Sequence, residues 1–159
     1  MDKNLKEMLD KLNREDETLK TLVIENMKIV KAYDGKSELS LKITENMLNA
    51  HDMVHGGVIF TLADSTSGAA CVSYGKKIVT LSSSINFLKS VDKGTMIATG
   101  EVVHNGNSTM VVDVRVTRQE DDKLLAKVST KEERDKLIEE LKTEKNVKEV
   151  KVEEEETKE

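Results

Sequence analysis

Proline is absent from this 159-residue chain, aromatic residues make up 3% of it, and there is one cysteine, Cys71. The missing proline carries no functional message. A single thiol excludes an intrachain disulfide, so the expected setting is reducing and cytoplasmic. So few aromatics leave little for a base-stacking surface. The net charge is −5, with acids and bases interspersed. Such a chain has no basic face to neutralise phosphates, and nucleic acid is not expected as a partner. No apolar run approaches the ~20 residues that span a bilayer. The opening MDKNLKEMLDKLNRED is charged throughout and lacks the apolar centre of a signal peptide, so no membrane partner is expected either.

What is present is enough for one compact domain with a concentrated core, since 37% of residues are apolar and 35% charged. Leu5, Met8, Leu9 and Leu12 fall at helical spacing and predict a short amphipathic extension over residues 1–20, with a further turn or two through Leu19, Leu22 and Val23. Then the period changes to two. MKIVKAYDGKSELSLKI alternates on both sides of Asp34-Gly35, a tight-hairpin dipeptide, and predicts strands at 27–33 and 37–43. A loop leads to a helix over about 57–73, followed by strands in KIVTLSSSINFLKS, GTMIATGEVVHNG, STMVVDVRVTRQ and KLLAKVST. One helix, strands before it and an antiparallel meander after it predict an α+β domain over residues 21–130. Residues 131–159 are mostly Lys and Glu. They are expected to form a charged C-terminal extension: a solvated helix on Leu137, Ile138 and Leu141, a short edge strand at NVKEVKV, and a disordered end.

The chemistry concentrates in NAHDMVHGGVIFTLADSTSGAA, residues 49–70. Val58, Ile59, Leu62, Ala63, Thr66, Ala69 and Ala70 cover one broad helix face, and side chains after Asp64 become very small. Small residues let a helix sit close against a sheet. Asp64 lies beside that stripe, where a carboxylate must be hydrogen-bonded, sit in a wet cleft or carry a raised pKa; by composition alone an exposed edge residue is equally consistent. Gly56 and Gly57 open the helix. A helix N-terminus presents unpaired N–H groups and the positive end of the dipole, and glycine lets a substrate approach that backbone closely. The pattern suits an anion, or a carbonyl oxygen becoming one. No Gly-Lys-Ser/Thr follows, which excludes a nucleotide-binding loop of that type.

Gly56 and Asp64 are eight residues apart, about 12 Å along a helix. Both would have to lie about 3 Å from one reacting centre, directly or through one water. One helix cannot do this. Two antiparallel copies related by a twofold axis can, so if both groups are catalytic the protein is a homodimer with shared sites.

Asn49, His55-Gly56-Gly57 and Leu62-Ala63-Asp64, with VTLSSSINFLKS, the glycine-anchored GEV and LLAKVST downstream, resemble the hotdog-fold acyl-CoA thioesterases of the phenylacetyl-CoA type over residues 20–130. The resemblance implies a hotdog fold, a long central helix wrapped by an antiparallel β-sheet, in dimers and often tetramers. It implies hydrolysis of an acyl- or aryl-CoA thioester to a free acid and coenzyme A, with no metal and no cofactor beyond the coenzyme A of the substrate. Carried over by position, Asp64 would be general base or nucleophile, and the Gly56 or Gly57 N–H would polarise the thioester carbonyl. Asn49 and His55 would orient substrate and loop. Ser65 would be a polar helper, and Thr80 would help place the attacking water. Where the family often has a basic residue after the glycine at Gly106, this chain has Asn107, so Lys76, Lys77 or Lys89 would have to supply that phosphate contact. Ser90 replaces a usual proline, with little consequence.

Other candidates resolve differently. His51 and His55 superficially match a zinc-protease motif, but Asp52 stands where that motif needs Glu and the helix starts only afterwards. Cys71 among small residues reads as packing, and His104 beside a turn as exposed. Met47 and Met53 flank the loop and suit either an acyl pocket or loop packing. The alternative function is a non-catalytic acyl-CoA binding or sensing module on the same fold; a hydratase would need a different Asp/His arrangement.

Overall fold

The computed structural model describes residues 24–134. The amphipathic stretches at Leu5–Val23 and Leu137–Leu141, the NVKEVKV strand and the charged end lie outside the described residues. Within them the order is β1 (Met27–Tyr33), β2 (Lys36–Lys42), α1 (Gly56–Val72), β3 (Ile78–Phe87), β4 (Thr95–Asn105), β5 (Thr109–Arg118) and β6 (Lys123–Arg134). Short 3-10 turns at Ile24–Asn26 and Glu45–Met47 precede β1 and α1. The strands form one antiparallel sheet in the order β1-β2-β4-β5-β6-β3, with α1 packed on one face. This is the hotdog arrangement that the resemblance implies.

The first hairpin turns on Asp34 and Gly35, both at positive φ (46° and 72°), the geometry that a tight two-residue turn requires. Its tip is tied to the end of the helix: Gly35 N–H donates to Ser73 Oγ at 2.7 Å.

The core lies between α1 and the sheet. Leu62, Ala63, Ala69, Ala70 and Cys71 of the helix meet Leu39, Leu41, Met96, Ala98, Val112, Val114, Leu125 and Ala126. Close approach is set by small residues on both sides. A Cβ on Gly100 of β4 would stand 2.8 Å from Ser37 Oγ and 3.1 Å from Thr66 Cγ2. At the same point Ser37 Oγ donates to the carbonyl of Thr66 at 2.7 Å, so helix backbone and sheet are within one hydrogen bond of each other.

The sequence placed four of these strands within a residue or two and the helix within one. β6 differs: it runs to Arg134, four residues beyond the point where composition turns to Lys and Glu. Its alternation simply continues, with Val128, Thr130 and Glu132 all buried on the helix side. Pairing with β5 and β3 on both flanks, from Thr109↔Glu133 to Ile78↔Arg134, holds the charged stretch in the sheet.

Gly100→Ala is expected to destabilise the fold by about 1–3 kcal/mol through overpacking. Gly57→Ala, at a position where an added Cβ meets nothing within 4 Å, is expected to change stability by no more than about 1 kcal/mol. Urea unfolding of the two variants checks this; equal midpoints would show that close packing at Gly100 does not limit the helix–sheet distance.

Candidate active site

Asp64 lies half-buried in the third turn of α1 and accepts a hydrogen bond from Thr80 Oγ1 at 2.9 Å on its Oδ1. Thr80 is exposed, in the third position of the edge strand β3. Two of the candidate site residues are therefore in contact. Ser65 is half-buried next to the acid in the helix.

The helix start is built by the preceding loop. Asn49 Oδ1 accepts the N–H groups of His51 (2.8 Å) and Met53 (3.2 Å), and the Asn49 N–H donates to the Met53 carbonyl at 2.7 Å. Asn49 is thus the internal brace of the HDMV loop. Asp52 takes positive φ (56°) inside that brace, a region its short side chain tolerates. His55 is the N-cap residue: its N–H donates to the Met47 carbonyl, its own carbonyl accepts from Val58 and Ile59, and its ring makes no cap. His55 is exposed. Met47 is a core residue at 1% exposure, whereas Met53 stands 36% exposed on the loop.

The two glycines face different surroundings. A Cβ on Gly56 would meet the Phe87 ring at 3.1 Å, while one on Gly57 would project into open space. The first N–H groups of a helix have no acceptor within it, so this end offers donors to a ligand at Gly57. Asp64 is beside Thr80 near the start of β3, and Gly56 is beside Phe87 at the end of that strand. Within one chain, the Asp64 carboxylate and the helix N-terminus stay separated by the ~12 Å that two helical turns impose.

The candidate phosphate contacts spread out. Lys76 Nζ donates to Asn105 Oδ1 at 2.6 Å, which puts an ammonium at the β4–β5 turn that carries Asn107. Lys89 is exposed beyond the other end of β3, its backbone bonded to the Leu125 carbonyl. Cys71 is fully buried and burial pushes its thiol up to about 12, so it is not a nucleophile at neutral pH.

One group was missed by sequence reasoning. Glu132, which by composition belongs to the charged C-terminal extension, is fully buried at 0% exposure. Its Oε1 accepts from Ser67 Oγ at 2.6 Å, and its Oε2 has no partner. Ser67 lies one turn past Asp64 on α1, and Glu132 is the direct cross-strand neighbour of Thr80. The signal was available: Val128, Thr130 and Glu132 continue one alternating face, and a polar residue at the end of a buried face is unusual. Burial raises the Glu132 pKa, the Ser67 hydrogen bond opposes the rise, the Asp64 charge adds to it, and the Thr80 hydroxyl opposes it.

A carboxyl whose folded pKa lies above its unfolded value binds more protons when folded. Its contribution is present below the ordinary glutamate value of 4.5 and is lost as pH rises through the raised folded value. Unfolding free energy measured from acid to neutral pH is therefore expected to fall less in Glu132→Gln than in the native protein. Parallel curves would mean that Glu132 titrates alike in both states.

Residues 51–125 match the family model for the thioesterase superfamily. The acyl-coenzyme A thioesterase PaaI of Escherichia coli is 36% identical over 93 residues, 58% of this chain and 66% of that protein. Its structure superposes with a TM-score of 0.74 at 29% identity, covering 83% of this chain and 94% of that one. A 1,4-dihydroxy-2-naphthoyl-CoA hydrolase of Listeria monocytogenes is 32% identical over 102 residues, 62% of this chain and 82% of that protein. A hypothetical thioesterase of Streptococcus pneumoniae, solved with coenzyme A, is 38% identical with a TM-score of 0.67, covering 70% of this chain and 87% of that one. Two further structures of that protein replace by alanine an aspartate and a threonine sixteen residues later, the same separation as Asp64 and Thr80 here.

Proposed function

Because this chain belongs to the thioesterase superfamily, on a hotdog fold and among the acyl-CoA thioesterases, we propose that it hydrolyses an acyl- or aryl-CoA thioester to the free acid and coenzyme A at a site centred on Asp64. The observation that carries this reading is the hydrogen bond from Thr80, on the edge strand β3, to the half-buried helix carboxylate of Asp64. The aspartate and threonine replaced in the Streptococcus thioesterase, at the same separation, support it.

In this mechanism Thr80 ties down Oδ1 and leaves Oδ2 to act. Oδ2 either takes a proton from the attacking water or attacks the thioester carbon itself. The N–H of Gly57, an exposed residue in the first turn of the helix, donates to the carbonyl oxygen as charge develops on it. Asn49 and His55 act on the loop and helix start rather than on the proton. Lys76 and Lys89 are the cations offered to the coenzyme A phosphates, one beyond each end of β3.

The site is completed by a second copy. β3 is a sheet edge, and Val79, Leu81, Phe87 and Leu88 on or beside it are 45–53% exposed. Such an edge is a template for strand pairing. Antiparallel pairing of two β3 edges sets the Thr80 end of one strand beside the Phe87 end of the other. Asp64 then faces the helix N-terminus of the partner, where Gly57 of the partner subunit supplies the oxyanion donor. Pairs of such dimers would form a tetramer, and the single reduced cysteine suits a cytoplasmic setting.

Asp64→Asn is expected to lower kcat about a hundredfold or more across a panel of aryl-, short- and long-chain acyl-CoA substrates. Thiol release by a folded variant at near-native rates would remove Asp64 from the chemistry. Sharing of the site predicts complementation: co-expressed Asp64→Asn and Gly57→Pro chains, each inactive alone, regain activity in the mixed dimers. An inactive mixture would place both groups of each site in one chain.

A further inference from the structure

Asp64, Ser67, Thr80 and Glu132 form a closed ring of polar side chains. Asp64 and Ser67 are one turn apart on α1, Thr80 and Glu132 are directly paired across β3 and β6, and hydrogen bonds join Thr80 to Asp64 and Ser67 to Glu132. Direct antiparallel partners bring their Cβ atoms to roughly 4.5–5.5 Å, so the Thr80 hydroxyl stands between two carboxyl groups. That hydroxyl has one proton, which goes to Asp64 Oδ1. It could serve the Glu132 carboxylate only by giving up Asp64, and with the proton on Asp64 the Glu132 Oε2 is buried without a partner. Ser67 likewise spends its proton on Oε1. The ring is satisfied only if Glu132 brings a proton of its own.

Two carboxylates joined through one hydroxyl cannot both ionise cheaply, and exposure decides between them. Asp64 is half-buried at an open edge, whereas Glu132 is fully buried. Among the described residues the groups that act on the charge of Glu132 are Ser67, Asp64 and Thr80, and none is a cation. From β5 it faces buried Met110, from the next turn of α1 the buried thiol of Cys71, and Lys131 and Glu133 alternate to the other side of β6.

We propose that Glu132 is a positioning residue: held as the neutral acid, it donates from Oε2 to Thr80 Oγ1 and so commits the single Thr80 proton to Asp64. The carboxyl proton stays on Glu132 throughout. Its work is to keep the Thr80 hydroxyl pointing at Oδ1, to leave Oδ2 aimed outward, and to let Asp64 hold the only charge of the pair. Ionisation of Glu132 would reverse all three, so it also sets an alkaline limit on the site. This rests on Asp64 being the working carboxylate.

The first test needs no turnover. Carbon-13 NMR of glutamate-labelled protein, with Glu132 assigned by Glu132→Gln, is expected to show it protonated near neutral pH. Its midpoint should fall in Asp64→Asn, where the neighbouring charge is gone. An ionised Glu132 at neutral pH, or a midpoint indifferent to Asp64→Asn, overturns the proposal. Kinetics give the second readout. Glu132→Gln keeps a donor toward Thr80 and should hold kcat within about threefold while losing the alkaline limb of its pH profile. Glu132→Met, of similar volume without a donor, should lose about tenfold or more in kcat with KM little changed. Native kcat in a folded Glu132→Met protein overturns the positioning role, and if that variant does not fold the NMR result decides. An active Asp64→Asn protein with a protonated Glu132 would overturn the assigned site and the positioning role with it, leaving only the neutral buried acid; an inactive one with an ionised Glu132 would count against this inference alone.

Discussion

The short distance between the central helix and the sheet controls everything else in this domain. It is possible because α1 presents Ala63, Ser67, Ala69 and Ala70, and because β4 presents Gly100, where an added methyl would collide with Ser37 and Thr66. At that separation short side chains reach across the layer boundary: Ser37 to the Thr66 carbonyl, Thr80 to Asp64, Ser67 to Glu132. Were larger residues to fill the gap, the apolar core could still pack, but these polar links would open and the acid would lose its orientation. Packing and chemistry therefore share one constraint.

A consequence is that the site is made of pairs from different elements, each member held by its own backbone ladder. Asp64 is fixed by helix geometry, Thr80 by pairing with β6, and the helix start by the Asn49 brace. Rigid supports of this kind hold a carboxylate oxygen where a reaction needs it without demanding motion of the scaffold. Among the described residues the open side of the arrangement is the β3 edge, where Val79, Leu81, Phe87 and Leu88 leave apolar surface uncovered. Strand pairing and site completion would thus occur on the same line of residues.

Much of the fold was legible beforehand. The Asp34-Gly35 turn, the change of period from two to helical and back, and the turns at Gly94 and Gly106 are local signals with local causes, and the elements between them follow within one to three residues. Thr80 entered the candidate site by resemblance, while its hydrogen bond to Asp64 emerged only in the structure; the helix start with two glycines came from the physics of unpaired N–H groups. The end of β6 was misread for an equally physical reason: Lys131-Glu132-Glu133 looks solvated by composition, and only two flanking strands hold it in the sheet.

The sequence by itself determined the period and order of the elements, the helix whose small face could lie close to a sheet, and the placement of one acid two turns from a bare N-terminus. These depend on neighbours a few residues away, so they can be seen along the chain. Only the tertiary structure decided that Glu132 lies under Asp64, that Gly57 is open where Gly56 is covered, and that β3 is an edge. Those facts come from strand order and register, which join residues sixteen to sixty-eight positions apart, and no local pattern encodes which of several similar strands will be the neighbour.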